Sequence, residues 1–327
     1  MDVLVLGGSR FIGLRLVQLL HREGHSVTVL NRGTTPTQLP EGVATIRADR
    51  ESPSEVAAAL RGKTFDAAFD TSAYVPEVLR PAVEALDGNV GSYVFCSTTA
   101  VYQRSHRYPI RPDFPLERSP DASGYQKGKV ACEDILREAH ARSGFPATML
   151  RPPAVYGPQN ALPEREFSYF ARALQRRTII IPGEASGLLQ FAHVDDLAAA
   201  FLAAASTDKG VGNGYTVCSE YAISIDYWIR TVGRVAGTPV DVVYVAGDRF
   251  AELNRELGLT DVDIWPFGWG RAFSFSIDDA TRDLGWSPRF DIDGGLEMTF
   301  QWWRDQGLDK GDCDFSKDDK MLARLSR

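Results

Sequence analysis

The chain has 327 residues, 44% apolar and 24% charged, which is room for one large α/β domain carrying a smaller second lobe. Its 36 basic and 43 acidic residues leave a net charge of −7, which favours solubility and argues against a nucleic-acid or anionic-membrane partner, since both reward a basic face. No stretch approaches the roughly 18 apolar residues of a membrane span, and the cysteines (Cys96, Cys132, Cys218 and Cys313) include no Cys-x-x-Cys pair, so they read as reduced thiols of a cytoplasmic protein rather than a disulfide framework or metal site.

Val3-Leu4-Val5-Leu6 is an apolar run cut at once by Gly7 and Gly8, which predicts a buried strand and not an export sequence. Residues 12–22 follow with Ile12, Leu14, Leu16, Val17, Leu19 and Leu20 at helical spacing. Further strands are predicted at Val27–Leu30, Ala44–Arg47, Asp66–Asp70, Ser92–Cys96 and Pro146–Leu150, with helices at 53–61, 76–86 and Ser123–Ser143. Strand alternating with helix predicts an α/β fold, a doubly wound parallel sheet covered on both faces. Beyond residue 155 the pattern loosens. Thr178–Pro182 and Tyr215–Cys218 read as strands and Val194–Ala205 as a helix, with further helices starting near Ile225 and Arg249. Leu259–Gly270, with Pro266 and two tryptophans, reads as irregular, and residues 306–327 as a charged surface tail.

Gly7-Gly8-Ser9-Arg10-Phe11-Ile12-Gly13 sits directly between the first strand and the first helix. Glycine there lets the backbone approach a pyrophosphate seated on the helix N-terminus, so Gly7, Ser9, Arg10, Phe11, Ile12 and Gly13 are candidate dinucleotide contacts. The second strand ends in Asn31-Arg32-Gly33 where a carboxylate would accept from the ribose hydroxyls of NAD. Without that carboxylate a 2′-phosphate is not repelled, and Arg32, with Arg10 from the glycine turn, can bind it; NADP(H) is therefore expected over NAD(H). Asp49 and Arg50, after the third strand, are expected near the adenine, with a plain surface turn as the alternative.

Tyr125 and Lys129 lie four apart on the opening turns of the long helix, hence on one face. An ammonium beside a phenol favours the phenolate. Such a tyrosine can exchange a proton with a substrate oxygen while a nicotinamide exchanges a hydride. The fifth strand ends in Ser97-Thr98-Thr99, whose hydroxyls can bond the same oxygen.

With these pieces in place the chain resembles an extended, atypical short-chain dehydrogenase/reductase of the NAD(P)-dependent epimerase/dehydratase superfamily. The resemblance is carried by the glycine turn, by Phe95–Tyr102, by Tyr125–Lys129, by Leu150–Pro158, by Phe191–Asp196 and by Asp283–Pro288, and it runs to about residue 305. It implies that Thr98 is the catalytic hydroxyl, Tyr125 the general acid/base, and Lys129 the group that tunes Tyr125 and holds the nicotinamide ribose. It places Thr71, Ser72 and Ala73, together with Ser97, along the cofactor, and Pro152 and Pro153 beside the nicotinamide. It makes the His193 to Asp196 segment mainly structural. Thr99, Tyr102 and Arg271 are the expected substrate contacts, and a homodimer is expected. The implied domains are a dinucleotide-binding Rossmann domain (1–155 plus about 191–217), a substrate lobe (about 156–190 plus 218–305) and the tail.

The chain departs from that family pattern in three places. Arg10 replaces the middle glycine, as in the branch that includes the chloroplast stem-loop-binding proteins. The segment between Ala73 and the fifth strand is short. Ala154 stands where nucleotide-sugar enzymes carry an asparagine, and Leu188, Leu189 and Gln190 stand where they carry an arginine. A substrate smaller or more apolar than a nucleotide sugar is the consequence, with Trp265, Phe267, Trp269 and Phe273 as possible pocket walls or as core. The leading expectation is an NADP(H)-dependent carbonyl reductase or alcohol dehydrogenase acting on a small metabolite or sugar derivative. Two alternatives stay open: a sugar epimerase or dehydratase that recycles its cofactor, and a non-catalytic nucleotide-sensing or RNA-associated protein.

Overall fold

The elements follow in chain order: β1 (Asp2–Leu6), α1 (Phe11–Arg22), β2 (Ser26–Asn31), β3 (Ala44–Arg47), α2 (Pro53–Leu60), β4 (Phe65–Asp70), α3 (Pro76–Leu86), β5 (Val90–Cys96), α4 (Gly124–Ser143), β6 (Ala147–Arg151), β7 (Ala154–Tyr156), α5 (Glu166–Leu174), β8 (Ile179–Pro182), β9 (Leu188–Leu189), β10 (Phe191–His193), α6 (Val194–Ala205), β11 (Gly214–Thr216), β12 (Ile223–Ser224), α7 (Ile225–Ala236), β13 (Val242–Val245), α8 (Gly247–Leu257), α9 (Asp278–Leu284), α10 (Ile292–Asp305) and α11 (Ser316–Leu325). The computed structural model describes residues 1–326 except 163, 185–186, 261 and 268–271. By its own contacts the chain divides into two units, residues 1–155 with 192–220 and 275–289, and residues 156–191 with 221–274 and 290–327.

The first unit holds a seven-stranded parallel sheet in the order β11-β6-β5-β4-β1-β2-β3. Its central strands are mostly apolar because helices cover both faces, and Val3 to Leu6 are fully buried. The order reverses between β1 and β4, and the register aligns Leu6 with both Leu30 and Asp70. The turn after β1, the end of β2 and the loop after β4 therefore open at one edge of the sheet, the switch point where such folds bind ligands. Helix α4 starts cleanly because Ser123 and Gln126 form a capping box, and it stops at Gly144, whose φ of 74° suits a residue without a Cβ. Residues 275–289 close this unit and not the lobe to which the sequence assigns them. Trp286 Nε1 donates to the Asp196 carbonyl at 3.0 Å, and Tyr215 bonds Asp283 at 3.2 Å.

In the second unit β8 pairs in parallel with β13 and β9 antiparallel with β12. Its core is aromatic: Trp228 and Trp265 are at most 1% exposed and pack with Tyr169 and Phe267 at ring separations of 4.9–6.2 Å. Trp265 and Phe267 are thus core and not pocket walls. Phe273 is partly buried on an edge, its N–H donating to the Leu188 carbonyl, and Trp269 lies outside the described residues. The stretch read as a charged tail folds as well. Helix α11 docks through Phe315, Met321 and a buried pair in which Arg172 donates to Asp318 at 2.9 and 3.0 Å. Its charges misled because only one face of a short helix needs to be apolar.

Candidate active site

A cleft of about 480 Å³ opens at the switch point of the first unit, lined among others by Gly7, Ser9, Arg10, Asn31, Arg32, Asp49, Arg50, Ser72 and Tyr74. Its floor is the glycine turn. Gly7 has φ +97°, and a Cβ there would lie 2.5 Å from the Ser72 side chain; a Cβ on Gly13 would lie 2.2 Å from the Gly7 carbonyl oxygen. Both positions accept only glycine, which is what brings the turn against the sheet edge. Arg10 has φ −144°, extended backbone that any residue adopts, so the missing middle glycine costs no strain. Arg10 and Arg32 are exposed at the cleft and Phe11 and Ile12 partly buried.

Asn31 clips the end of β2 to this turn. Its Nδ2 donates to Ser9 Oγ at 2.9 Å, and its Oδ1 accepts from the Gly33 N–H at 2.8 Å. Asp49, also on the rim, accepts from the Glu51 N–H at 3.0 Å. Thr71 and Ser72 hydroxyls donate to the Leu6 carbonyl at 3.2 Å, tying the loop after β4 to the end of β1.

Arg50 is held by the protein itself and is not free for an adenine. It borders the cleft, but its terminal nitrogens are spent on the Asp70 carboxylate at 2.5 and 2.7 Å, on Ser72 Oγ and on the Val78 carbonyl. Asp70 is fully buried, and it also accepts from the Tyr93 hydroxyl and from the Ser72 and Ala73 N–H groups. Burial pushes the Asp70 carboxyl up, but Arg50 and these donors outweigh it and hold it below its ordinary range. Arg50 and Asp70 thus shape the loop that passes the cleft. The sequence reading missed Asp70, although a carboxylate ending an otherwise apolar central strand was visible.

Helix α4 carries both members of the expected tyrosine–lysine pair. Tyr125 is 46% exposed on its first turn, its ring 6.2 Å from that of the cleft residue Tyr74. Lys129, one turn on, is 2% exposed, and its Nζ donates to the carbonyls of Ala73 at 2.8 Å and Cys96 at 2.7 Å, 4.5 Å above the Tyr74 ring. Burial lowers its pKa from the usual lysine value. Lys129 has no carboxylate in ion-pair range among the described residues, and an ammonium buried among carbonyls and the Tyr74 and Phe95 rings without a counter-charge is a poor structural choice. Gly128 lets the helix come this close, since a Cβ there would sit 2.3 Å from the Tyr74 carbonyl oxygen.

Thr98 precedes a 3₁₀ turn, Thr99–Val101, and its Oγ1 accepts from the Ala100 N–H at 3.2 Å. Its own O–H has no acceptor among the described residues, so it can donate to a substrate oxygen. Thr99 is buried, its N–H donating to the Pro152 carbonyl at 3.0 Å, which sets Pro152 against this turn.

Two expected contacts are committed elsewhere. The Ser97 hydroxyl donates to Glu133 Oε1 at 2.6 Å. Tyr102, 3% exposed, is bonded through its hydroxyl to Thr216 at 2.8 Å and to Arg151 at 3.0 Å. Arg151 in turn grips the buried Glu133 at 2.9 and 2.7 Å. Ser97 and Tyr102 are therefore braces beneath the site. Arg271 lies outside the described residues. His193 accepts from the Asp195 N–H as the cap of α6, and burial drives its pKa down to about 4, consistent with a structural place.

Among the described residues no group of three or more His, Cys, Asp or Glu side chains is arranged to hold a metal, and no helix is long and apolar enough to cross a membrane. The family model described as "NAD dependent epimerase/dehydratase family" matches residues 3–218. The chloroplast stem-loop binding protein of 41 kDa b from Arabidopsis thaliana is 29% identical, over 98% of this chain and 84% of that protein. The 2'-dehydrokanamycin reductase of Streptomyces kanamyceticus is 25% identical, over 76% of this chain and 71% of its own. A crystal structure of UDP-glucose 4-epimerase from Thermotoga maritima with UDP-glucose superposes with a TM-score of 0.78 at 18% identity, covering 94% of this chain and 99% of that one.

Proposed function

The chain belongs to the NAD dependent epimerase/dehydratase family, and from that premise we propose an NADP(H)-dependent carbonyl reductase or alcohol dehydrogenase acting on a small metabolite or sugar derivative. The observation that carries this reading is the pairing of half-exposed Tyr125 with Lys129, buried and held on two backbone carbonyls one helical turn away.

The residues present fit a dinucleotide. Gly7 and Gly13 pack the turn closely against Ser72 and against its own backbone, which sets the N-terminus of α1 at the cleft, where its backbone N–H groups can meet a pyrophosphate. Asn31 gives the end of β2 no carboxylate, while Arg10 and Arg32 stand exposed at the same cleft, which supports a 2′-phosphate and so NADP(H). A nicotinamide bound there supplies or accepts the hydride. Tyr125 gives the proton to the nascent alkoxide in reduction and takes it back in oxidation. Thr98 holds the same oxygen through its O–H, and the positive charge of Lys129 favours the phenolate when the proton has left Tyr125. The reductase of Streptomyces kanamyceticus supports a sugar-derived ketone that is not a nucleotide sugar.

The test has two arms. Nucleotide-stripped protein is titrated with NADPH and with NADH by fluorescence, then mixed with NADPH and phenanthrenequinone, dihydroxyacetone, fructose and keto-glucosides. Preference for NADPH with oxidation of it by at least one carbonyl compound is expected. Equal binding of both coenzymes undoes the NADP(H) preference; no oxidation across the panel overturns the reductase reading.

A further inference from the structure

We propose that Gln126 is a positioning residue of this site, holding the Thr98 hydroxyl in register with Tyr125. The inference rests on the roles proposed for Tyr125 and Thr98.

Gln126 follows Tyr125 on the first turn of α4, and its side-chain amide works in two directions. Oε1 accepts from the Ser123 N–H and hydroxyl, both at 3.0 Å, closing the capping box. Nε2 donates to the Ala100 carbonyl at 3.1 Å, on the turn that follows Thr98. Ala100 then turns the Thr98 hydroxyl, because its N–H donates to Thr98 Oγ1. One residue, Ala100, therefore receives the helix at its carbonyl and orients the hydroxyl at its nitrogen. The amide orientation is forced. A backbone N–H only donates and a carbonyl only accepts, so a flipped amide would break both links.

A capping box needs only the Oε1 half of this side chain, and glutamate at this position serves it equally well. The Nε2 half has no part in the cap, and it joins the two segments that carry the proposed proton donor, Tyr125, and the proposed hydrogen-bond donor, Thr98. Positioning of this kind acts on turnover more than on binding.

Gln126→Glu separates the two halves. It keeps the cap and adds a favourable charge to the helix N-terminus, but it turns an oxygen towards the Ala100 carbonyl. The turn keeps its other ties, from the Thr99 N–H to Pro152 and from the Glu117 N–H to Val101 at 2.7 Å, so the fold survives. Wild type, Gln126→Glu, Gln126→Ala and Tyr125→Phe are compared with the carbonyl compound from the panel that wild type reduces fastest. For Gln126→Glu the expected result is a kcat reduced by about tenfold, with KM, NADPH affinity and melting temperature near wild type. Its kcat relative to wild type should recover as pH falls towards the ordinary glutamate value of about 4.3, where the protonated carboxyl can again donate. Gln126→Ala should lose both melting temperature and kcat, with no recovery at low pH. Wild-type kcat in Gln126→Glu, beside an inactive Tyr125→Phe, overturns the positioning role and leaves the proposed function standing. An active Tyr125→Phe, or a panel with no substrate, overturns both.

Discussion

Lys129 Nζ donates to the Ala73 carbonyl at 2.8 Å, and this bond fastens helix α4 to the loop that leaves the central strand β4. The Ala73 N–H meanwhile donates to Asp70 at 3.1 Å. The ammonium, the loop and the buried carboxylate thus form one hydrogen-bonded path that runs from under the cleft to the helix bearing Tyr125.

Lys129→Met should lower kcat by about 100-fold or more, the usual worth of a group that tunes a general acid. It leaves two buried carbonyls without their donor and should cost about 1–3 kcal/mol of stability. Lys129→Arg should not restore activity, because a planar guanidinium cannot take the place of a compact ammonium between the carbonyls of Ala73 and Cys96. Steady-state rates and melting curves of the two variants check both statements. Full activity in Lys129→Arg would mean that charge alone suffices.

Arg10→Ala and Arg32→Ala should each weaken NADPH binding by about tenfold or more, the worth of a charge-assisted hydrogen bond to phosphate. NADH, which has no 2′-phosphate, should bind both variants as it binds wild type. The loss for NADPH should shrink in high salt, since both side chains are exposed. Parallel losses for the two coenzymes would show that the arginines act on something the coenzymes share.

Asp70→Asn leaves the buried Arg50 guanidinium without its counter-charge and should cost about 3–5 kcal/mol. Because the loop at Ser72 and Ala73 is shaped by this carboxylate, NADPH and NADH binding should fall together, unlike the outcome for Arg10 and Arg32. Replacing both partners, Arg50→Leu with Asp70→Leu, should return much of the stability, since an apolar pair carries no desolvation penalty. Coenzyme affinity should stay low. Thermal melts and fluorescence titrations of the single and double variants are the measurement.

Much of the first unit was legible because its signals are local. Gly7 and Gly13 mark a strand-to-helix turn by themselves, and Tyr125 and Lys129 share a helix face by spacing alone. What escaped was set by tertiary contact. Arg50 looked like a ligand for adenine because nothing nearby in sequence announces Asp70, twenty residues on, as its partner. Tyr102 and Ser97 carry the right groups in the right segment, yet Arg151 and Glu133 claim them from another strand and from α4. Gln126 was hidden in the opposite way, since a glutamine at a helix start already has a sufficient explanation as a cap. In the second unit the aromatic cluster is compatible with a pocket or a core in sequence, and only the packing of Trp265 against Tyr169 and Trp228 decides it.

Glu166 gives a pH-dependent prediction whose sign is fixed by its surroundings. Its carboxyl is 1% exposed and accepts from the Gly157 N–H and from Asn160 Nδ2 at 3.0 Å, with no cation in salt-bridge range among the described residues. Burial raises its pKa from 4.5 to about 7. Between those two values the folded chain keeps a proton that the unfolded chain has released. Its contribution is therefore fully present below about pH 4.5 and is lost as pH rises through about 7, a change of about 3 kcal/mol. His193 works in the opposite sense. Its pKa is held at about 4 against the ordinary 6.5, so the unfolded chain takes up a proton the folded one refuses, and stability is lost as pH falls across that range. The wild-type curve mixes the two slopes, and the difference between Glu166→Gln and wild type isolates the first. At about pH 8 the variant should melt at or above the wild-type temperature, because an uncompensated buried charge is gone. At about pH 5 it should melt below, because the neutral acid costs little and the amide cannot accept Asn160 Nδ2 on both of its ends. A difference that stays flat from about pH 5 to about pH 8 would mean that Glu166 titrates at its ordinary value despite its burial.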